Sequence, residues 1–211
     1  KSNTAAADKV AAAIRGKGRK ALVIQADASQ EADCLRTFAE VKRQFGALNV
    51  LVYNAGVSGK EYRLVDAPVE NIRAALDVNL FGCILHAREA VKMMSTRHGG
   101  KGGSIVLLSS RAAAYGSPGL FVWYAASKGG VNSFAVGLAR EVGEEGIRVN
   151  AVSPGPIDTG MTAPETLART AQTTALKRVG RPEEVASLIM FCASDASSYV
   201  TGTEIVIAGG R

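Results

Sequence analysis

Apolar residues along this chain follow two periods in turn. Short continuous runs, Lys20–Ala26 (KALVIQA), Leu48–Tyr53 (LNVLVY), Ser104–Ser109 (SIVLLS), Gly146–Val152 (GIRVNAV) and Glu204–Ile207, predict strands. Between them, apolar residues recur every three or four positions and predict helices. These cover residues around Thr4 to Arg15, Gln30–Phe45, Pro68 to about Arg97, Val122–Glu144 and Pro182 to about Ala193. In Gln30–Phe45, for example, Leu35, Phe38, Val41 and Phe45 share one side. Strands with continuous apolar runs, separated by helices, predict an α/β fold: a parallel sheet covered on both faces, with right-handed crossovers. From Pro156 to Arg178 the pattern fades into a polar, threonine-rich segment, read as a binding loop.

Two helices carry more apolar surface than a sheet-facing stripe needs. Pro68–Arg97 places Ile72, Leu76, Leu80, Ile84, Ala87 and Val91 on one side, and Phe81, Cys83, Leu85 and Met94 extend it around the axis. Val131, Phe134, Val136, Leu138 and Val142 do the same on the later helix. Such helices bury a second face. The expectation is a homo-oligomer, dimer or tetramer, joined through these two helices, with packing inside one chain as the rival. The glycine run Gly99–Gly103 has the composition of a phosphate loop. It precedes a strand instead of joining strand to helix, so it is read as a flexible turn.

Composition adds limits. The chain has 211 residues, enough for a single domain over 1–211 with a sizeable core. The net charge of +6 comes from scattered basic residues. It suits a phosphorylated cofactor or a mildly basic enzyme surface, and no nucleic-acid motif accompanies it. No apolar run reaches membrane-spanning length. Cys34, Cys83 and Cys192 lie far apart, without metal or disulfide spacing, which fits a reducing, cytoplasmic setting. With only His86 and His98, no metal site or Ser-His-Asp triad is expected.

The chemistry concentrates in Tyr124-Ala-Ala-Ser-Lys128, after Ser110 at the end of a strand. Residues four apart on a helix share a face, so an ammonium would stand beside a phenol and lower its pKa from about 10. A general acid or base beside a hydroxyl that polarises a carbonyl suits alcohol/ketone interconversion. Taken alone, such a pair is common on solvated helix faces.

Its neighbours give it weight. Asp27 follows a strand, Asn54-Ala55-Gly56 ends the next, and Asn79 lies mid-helix in DVNLFG. Asn150, Pro154-Gly155-Pro-Ile157-Asp-Thr159, Arg181-Pro-Glu-Glu184 and the terminal Gly209-Gly210 follow in order. This series resembles the short-chain dehydrogenase/reductase family through nearly the whole chain, close to bacterial members of the acyl-carrier-protein reductase and glucose-dehydrogenase type. The resemblance implies a Rossmann-like doubly wound sheet and a nicotinamide-dependent oxidoreductase. Tyr124 would be the acid/base, and Lys128 would lower its pKa and hold the nicotinamide ribose. Ser110 would bind the substrate oxygen, and Asn79 would hold a proton-relay water. Asp27 would receive the adenine, and Asn54, Ala55 and Gly56 would line the adenosine ribose. Pro154 and Gly155 would wall the nicotinamide, with Ile157 and Thr159 anchoring its amide. Read singly, Asn54–Gly56 is also a strand-end turn and Asp27 a helix-leading acid.

Lys1-Ser2 matches the basic form of the family's second strand end, which favours NADP(H), with NAD(H) the alternative. The family's first two strands, first helix and glycine-rich turn have no counterpart here, so the sequence is expected to be a fragment of a longer polypeptide with an open sheet edge. Smaller departures are Tyr53 where an Asn is common, Ala208 where an acid is common, and a Ser110–Tyr124 interval one residue longer. Tyr115, Phe121 and Trp123 are candidates for either pocket wall or core. The competing functional reading is a cofactor-free oligomeric scaffold or an inactive fragment. The substrate is not legible.

Overall fold

Helix and strand follow each other much as the periodicity predicts. The computed structural model describes residues 4–159 and 164–211. Helix α1 (Thr4–Gly16) is followed by α2 (Glu31–Phe45) and strand β1 (Val50–Tyr53). Next come α3 (Val69–Leu76), a π-helical turn (Asp77–Phe81) and α4 (Gly82–Met94). Strand β2 (Gly103–Leu108) leads through a short α5 (Ala112–Tyr115) into α6 (Val122–Val142) and β3 (Ile147–Pro154). Helices α7 (Pro164–Ala171) and α8 (Pro182–Ala193) precede β4 (Glu204–Ile207).

The four strands form one sheet in the order β1-β2-β3-β4, every pair parallel. Registers such as Tyr53↔Leu107 and Leu108↔Val152 bring the carboxyl ends of the strands to one edge. On one sheet face Ile105, Leu107, Val149 and Ala151 pack against Phe38 of α2, Leu85 and Met94 of α4, and Val131 and Ala135 of α6. On the other, Val106, Leu108 and Val152 pack against Cys192, Val185 and Ile189 of α8. Over β2 and β3 the sheet is covered from both sides, so the run Ile105–Leu108 of β2 is apolar towards both faces.

Three expectations change. Lys20–Ala26 runs outside the helices but has no ladder among the described residues, and Leu22 and Val23 are exposed. An apolar run becomes a strand only where a neighbour takes its N–H and C=O groups. The long helix predicted over Pro68–Arg97 is interrupted by the π-helical turn and ends at Met94, because Ser95 turns to extended geometry and caps the next turn through its hydroxyl. The polar segment after Pro156 contains α7, too short a helix to stand out by period. The run Gly99–Gly103 leads through a turn into β2, whose first residue is Gly103, and close approach explains a glycine there: Gly103 has φ +154°, and a Cβ would lie 2.1 Å from the Asn49 carbonyl oxygen.

Candidate active site

At the carboxyl ends of β2 and β3 the chain opens into a cavity of about 810 Å³. Ser110 lies just past β2, Tyr124 in the first turn of α6, and Pro154 and Gly155 at the end of β3; all four line it. Asn54, Ile157 and Thr159 line it too, with Phe121 and Leu167 among the apolar walls. Ligand sites of parallel sheets lie outside these strand ends, where helices and loops diverge.

Behind this wall sits Lys128, 3% exposed. Its Nζ donates to the Leu108 carbonyl oxygen at 2.6 Å and lies 5.9 Å from the Tyr124 ring centroid. Burial pulls its pKa down from 10.5 to about 8. The Tyr124 phenol is raised from its ordinary value, because burial outweighs a hydrogen bond with Ser110 that lowers it. This corrects the expected lowering by Lys128. The ammonium is engaged with Leu108, and loss of water around the phenol is the larger influence.

Asn79 is wholly buried within the π-helical turn. Its Nδ2 donates to the Val57 carbonyl and to Ser127 Oγ, both at 2.9 Å, and its Oδ1 accepts the Val57 N–H at 2.8 Å. Both amide hydrogens are thus spent on holding the chain after Gly56 to α6. Gly56 stands over this layer: a Cβ there would be 3.4 Å from both Asn79 Oδ1 and Lys128 Nζ. Lys128 has donors beyond the one given to Leu108, and bare backbone at Gly56 lets a hydroxylated ligand approach.

The remaining expected residues divide. Ala55 is half-buried beside the core, and Asn54 is exposed at the strand end. Asp27 is exposed and does not line the cavity. Its Oδ1 accepts the N–H and hydroxyl of Ser29, at 2.9 and 2.7 Å, which holds its carboxyl below the usual range. Its backbone N–H donates to Asp33 in the first turn of α2, so the structure gives it a turn role. Lys1 and Ser2 lie outside the described residues. Asn150 ties β3 to the chain before β4, donating to the Val200 carbonyl at 2.8 Å. Of the three aromatics, Phe121 lines the cavity, Trp123 is buried with its Nε1 donating to Ser58, and Tyr115 is exposed between Arg111 and Arg211.

Sequence reading missed Ser109 and Ser127. Ser109 lines the cavity and donates to the Lys128 carbonyl at 3.0 Å. Ser127 donates to the Tyr124 carbonyl and accepts from Asn79. Position three residues beyond Tyr124 was the available signal for Ser127.

Comparison with known proteins gives the family. The whole chain, residues 1–211, matches the family described as Enoyl-(Acyl carrier protein) reductase. The chain belongs to the short-chain dehydrogenase/reductase family. It is 42% identical to an uncharacterized oxidoreductase, YgfF, of Escherichia coli K12 over 99% of this chain and 86% of that protein. It is 44% identical to the 3-oxoacyl-[acyl-carrier-protein] reductase FabG of Thermotoga maritima, over 81% of this chain and 69% of that protein. A short-chain dehydrogenase/reductase of Armillaria gallica is 39% identical over 94% of this chain and 78% of its own length. The family is one of NAD(P)-dependent oxidoreductases. No helix among the described residues is long and apolar enough to cross a membrane.

Proposed function

We propose that the chain acts as one dinucleotide-binding domain that interconverts a secondary alcohol and a ketone, with Tyr124 as acid/base. The observation that carries this is that Tyr124 and Ser110 line the wall of one cavity, with Tyr124 one helical turn from a buried Lys128. Two O–H groups on the wall of one cavity suit an oxygen gaining alkoxide character, which they stabilise more than the ground-state carbonyl. They also favour carbonyl chemistry over reduction of a carbon–carbon double bond, the reaction in the matched family's description.

When bound, NADP(H), or alternatively NAD(H), would supply or accept the hydride. Pro154, Gly155, Ile157 and Thr159 would hold the nicotinamide end, and the spare donors of Lys128 would hold its ribose. Asp27, Asn54, Ala55 and Gly56 would take the adenosine end, and Lys1 and Ser2 would favour the 2′-phosphate. In the reducing direction Ser110 orients the substrate oxygen and Tyr124 gives it a proton. A phenol raised by burial is in its acid form at neutral pH, as that step requires. Asn79 fixes the chain that closes over Lys128 and sets where a relay water can stand.

The same reading includes assembly. Ile84, Val91, Phe134 and Leu138, flanked by Arg88 and Glu141, line a 450 Å³ groove between α4 and α6. A second copy covering it gives a homo-oligomer, dimer or tetramer. Cys34, Cys83 and Cys192, all free, agree with work in the cytoplasm.

The test is direct. Purified protein is titrated with NADPH and NADH while Trp123 fluorescence is followed, then assayed for cofactor oxidation with a panel of ketones. Saturable quenching with turnover, stronger for NADPH, is expected. No response to either cofactor would leave the scaffold reading standing in its place.

A further inference from the structure

The π-helical turn at Asp77–Phe81 has a partner in the neighbouring strand. We propose that Tyr53 is a positioning residue: its hydroxyl sustains this turn and thereby aims Asn79 at the layer above Lys128. This rests on the reading of the site given above.

A π-helical turn fits one extra residue into a helix, so the amide register slips by one. The Gly82 N–H accordingly reaches back five residues, to the Asp77 carbonyl. A carbonyl inside such a turn loses its helical amide and needs another donor. The Tyr53 hydroxyl donates to the Val78 carbonyl, inside the turn and next to Asn79. Tyr53 is 3% exposed, and burial raises its pKa, so it remains a donor wherever the protein is folded.

The surroundings are shaped for this contact. The Tyr53 ring lies 5.2 Å from the His86 ring, and His86 packs edge-on against Phe38. His86 Nδ1 donates to the Gly82 carbonyl at 2.8 Å, just past the turn. Gly82 leaves the space, since a Cβ there would lie 2.6 Å from the Tyr53 hydroxyl and 2.4 Å from the Ala28 carbonyl. If the helix returned to α-helical register, Asn79 would swing by about 100°. It would then lose Val57 and Ser127 together, and the chain from Gly56 would be free to shift over Lys128.

The test uses Tyr53→Phe, which keeps the ring and removes the donor. Amide exchange is measured by NMR at Val57, held by Asn79, and at Gly82, with Ile105 and Val149 as core references. Exchange at Val57 and Gly82 is expected to rise about tenfold with the references unchanged. In steady state, kcat is expected to fall about tenfold with little change in substrate KM. In an Asn79→Ala background the same substitution should cost no further kcat. Unchanged protection at Val57, an equal rise at Ile105 and Val149, or kcat losses that multiply in the double variant would each overturn the proposal. Absence of turnover in the parent protein would sink the oxidoreductase reading alone; the exchange result decides on Tyr53 either way.

Discussion

The inner and outer strands of this sheet use the same residue types and end in different surroundings. In β2, Ile105, Val106 and Leu107 are fully buried, whereas in β1 Val50 and Val52 keep 36% and 40% of their surface exposed. Helices α4 and α6 cover one face of the sheet, but α8 lies over β2 and β3 on the other and stops short of β1. Coverage, more than side-chain identity, decides which apolar run becomes core. The proposed site divides along the same line. Ser110, Tyr124, Lys128 and Gly155 hang from the covered half, where helices pack on both faces of the sheet. Asp27 and Asn54 hang from the open half, where a ligand or another chain segment can still reach.

The contrast can be broken at several points. Tyr124→Phe, in the covered half, should lower kcat by about 10²–10⁴-fold with the far-UV spectrum unchanged. Retention of turnover would remove the acid/base role. Leu107→Ala should destabilise by about 2–5 kcal/mol in urea unfolding, because the packed site cannot collapse around the cavity. Val52→Thr on the open face should cost less than about 0.5 kcal/mol, and equal losses at the two sites would mean that β1 is covered in solution.

Lys128 sharpens the comparison through pH. Its pKa is about 8 in the fold and ordinarily 10.5. Between those values the unfolded chain binds more protons, so stability should rise with pH, by about 3 kcal/mol over the window. Lys128→Met should lack that rise; an identical profile in both proteins would mean the ammonium is solvated. Asp27→Ala, at the open edge, should cost about 1 kcal/mol through the lost turn bonds. If it also weakens NADPH binding by more than tenfold, the carboxylate serves the ligand as well as Ser29.

Legibility followed the range of the interaction. Helix α8 starts at the predicted Pro182 and ends close to where the pattern fades, because its signals are local: Pro182 at the first turn, and Glu184 accepting the Arg181 N–H at 2.7 Å. The Tyr124–Lys128 face was legible for the same reason. The break in the long helix was not. It depends on Tyr53, in another element 25 residues away in sequence. Lys20–Ala26 misled because an apolar run records what a segment would bury and says nothing of whether a neighbour is present.

Sequence alone determined the alternation of helix and strand, the parallel sheet and the set of reactive side chains, since period and spacing act within one or two turns of the chain. Only the tertiary structure decided which groups of that set touch. It turned the Lys128 ammonium to Leu108, gave the Asn79 amide to Val57 and Ser127, and drew Asp27 into a turn. Those choices rest on burial and on the need of every buried donor and acceptor for a partner, and both are properties of the packed whole.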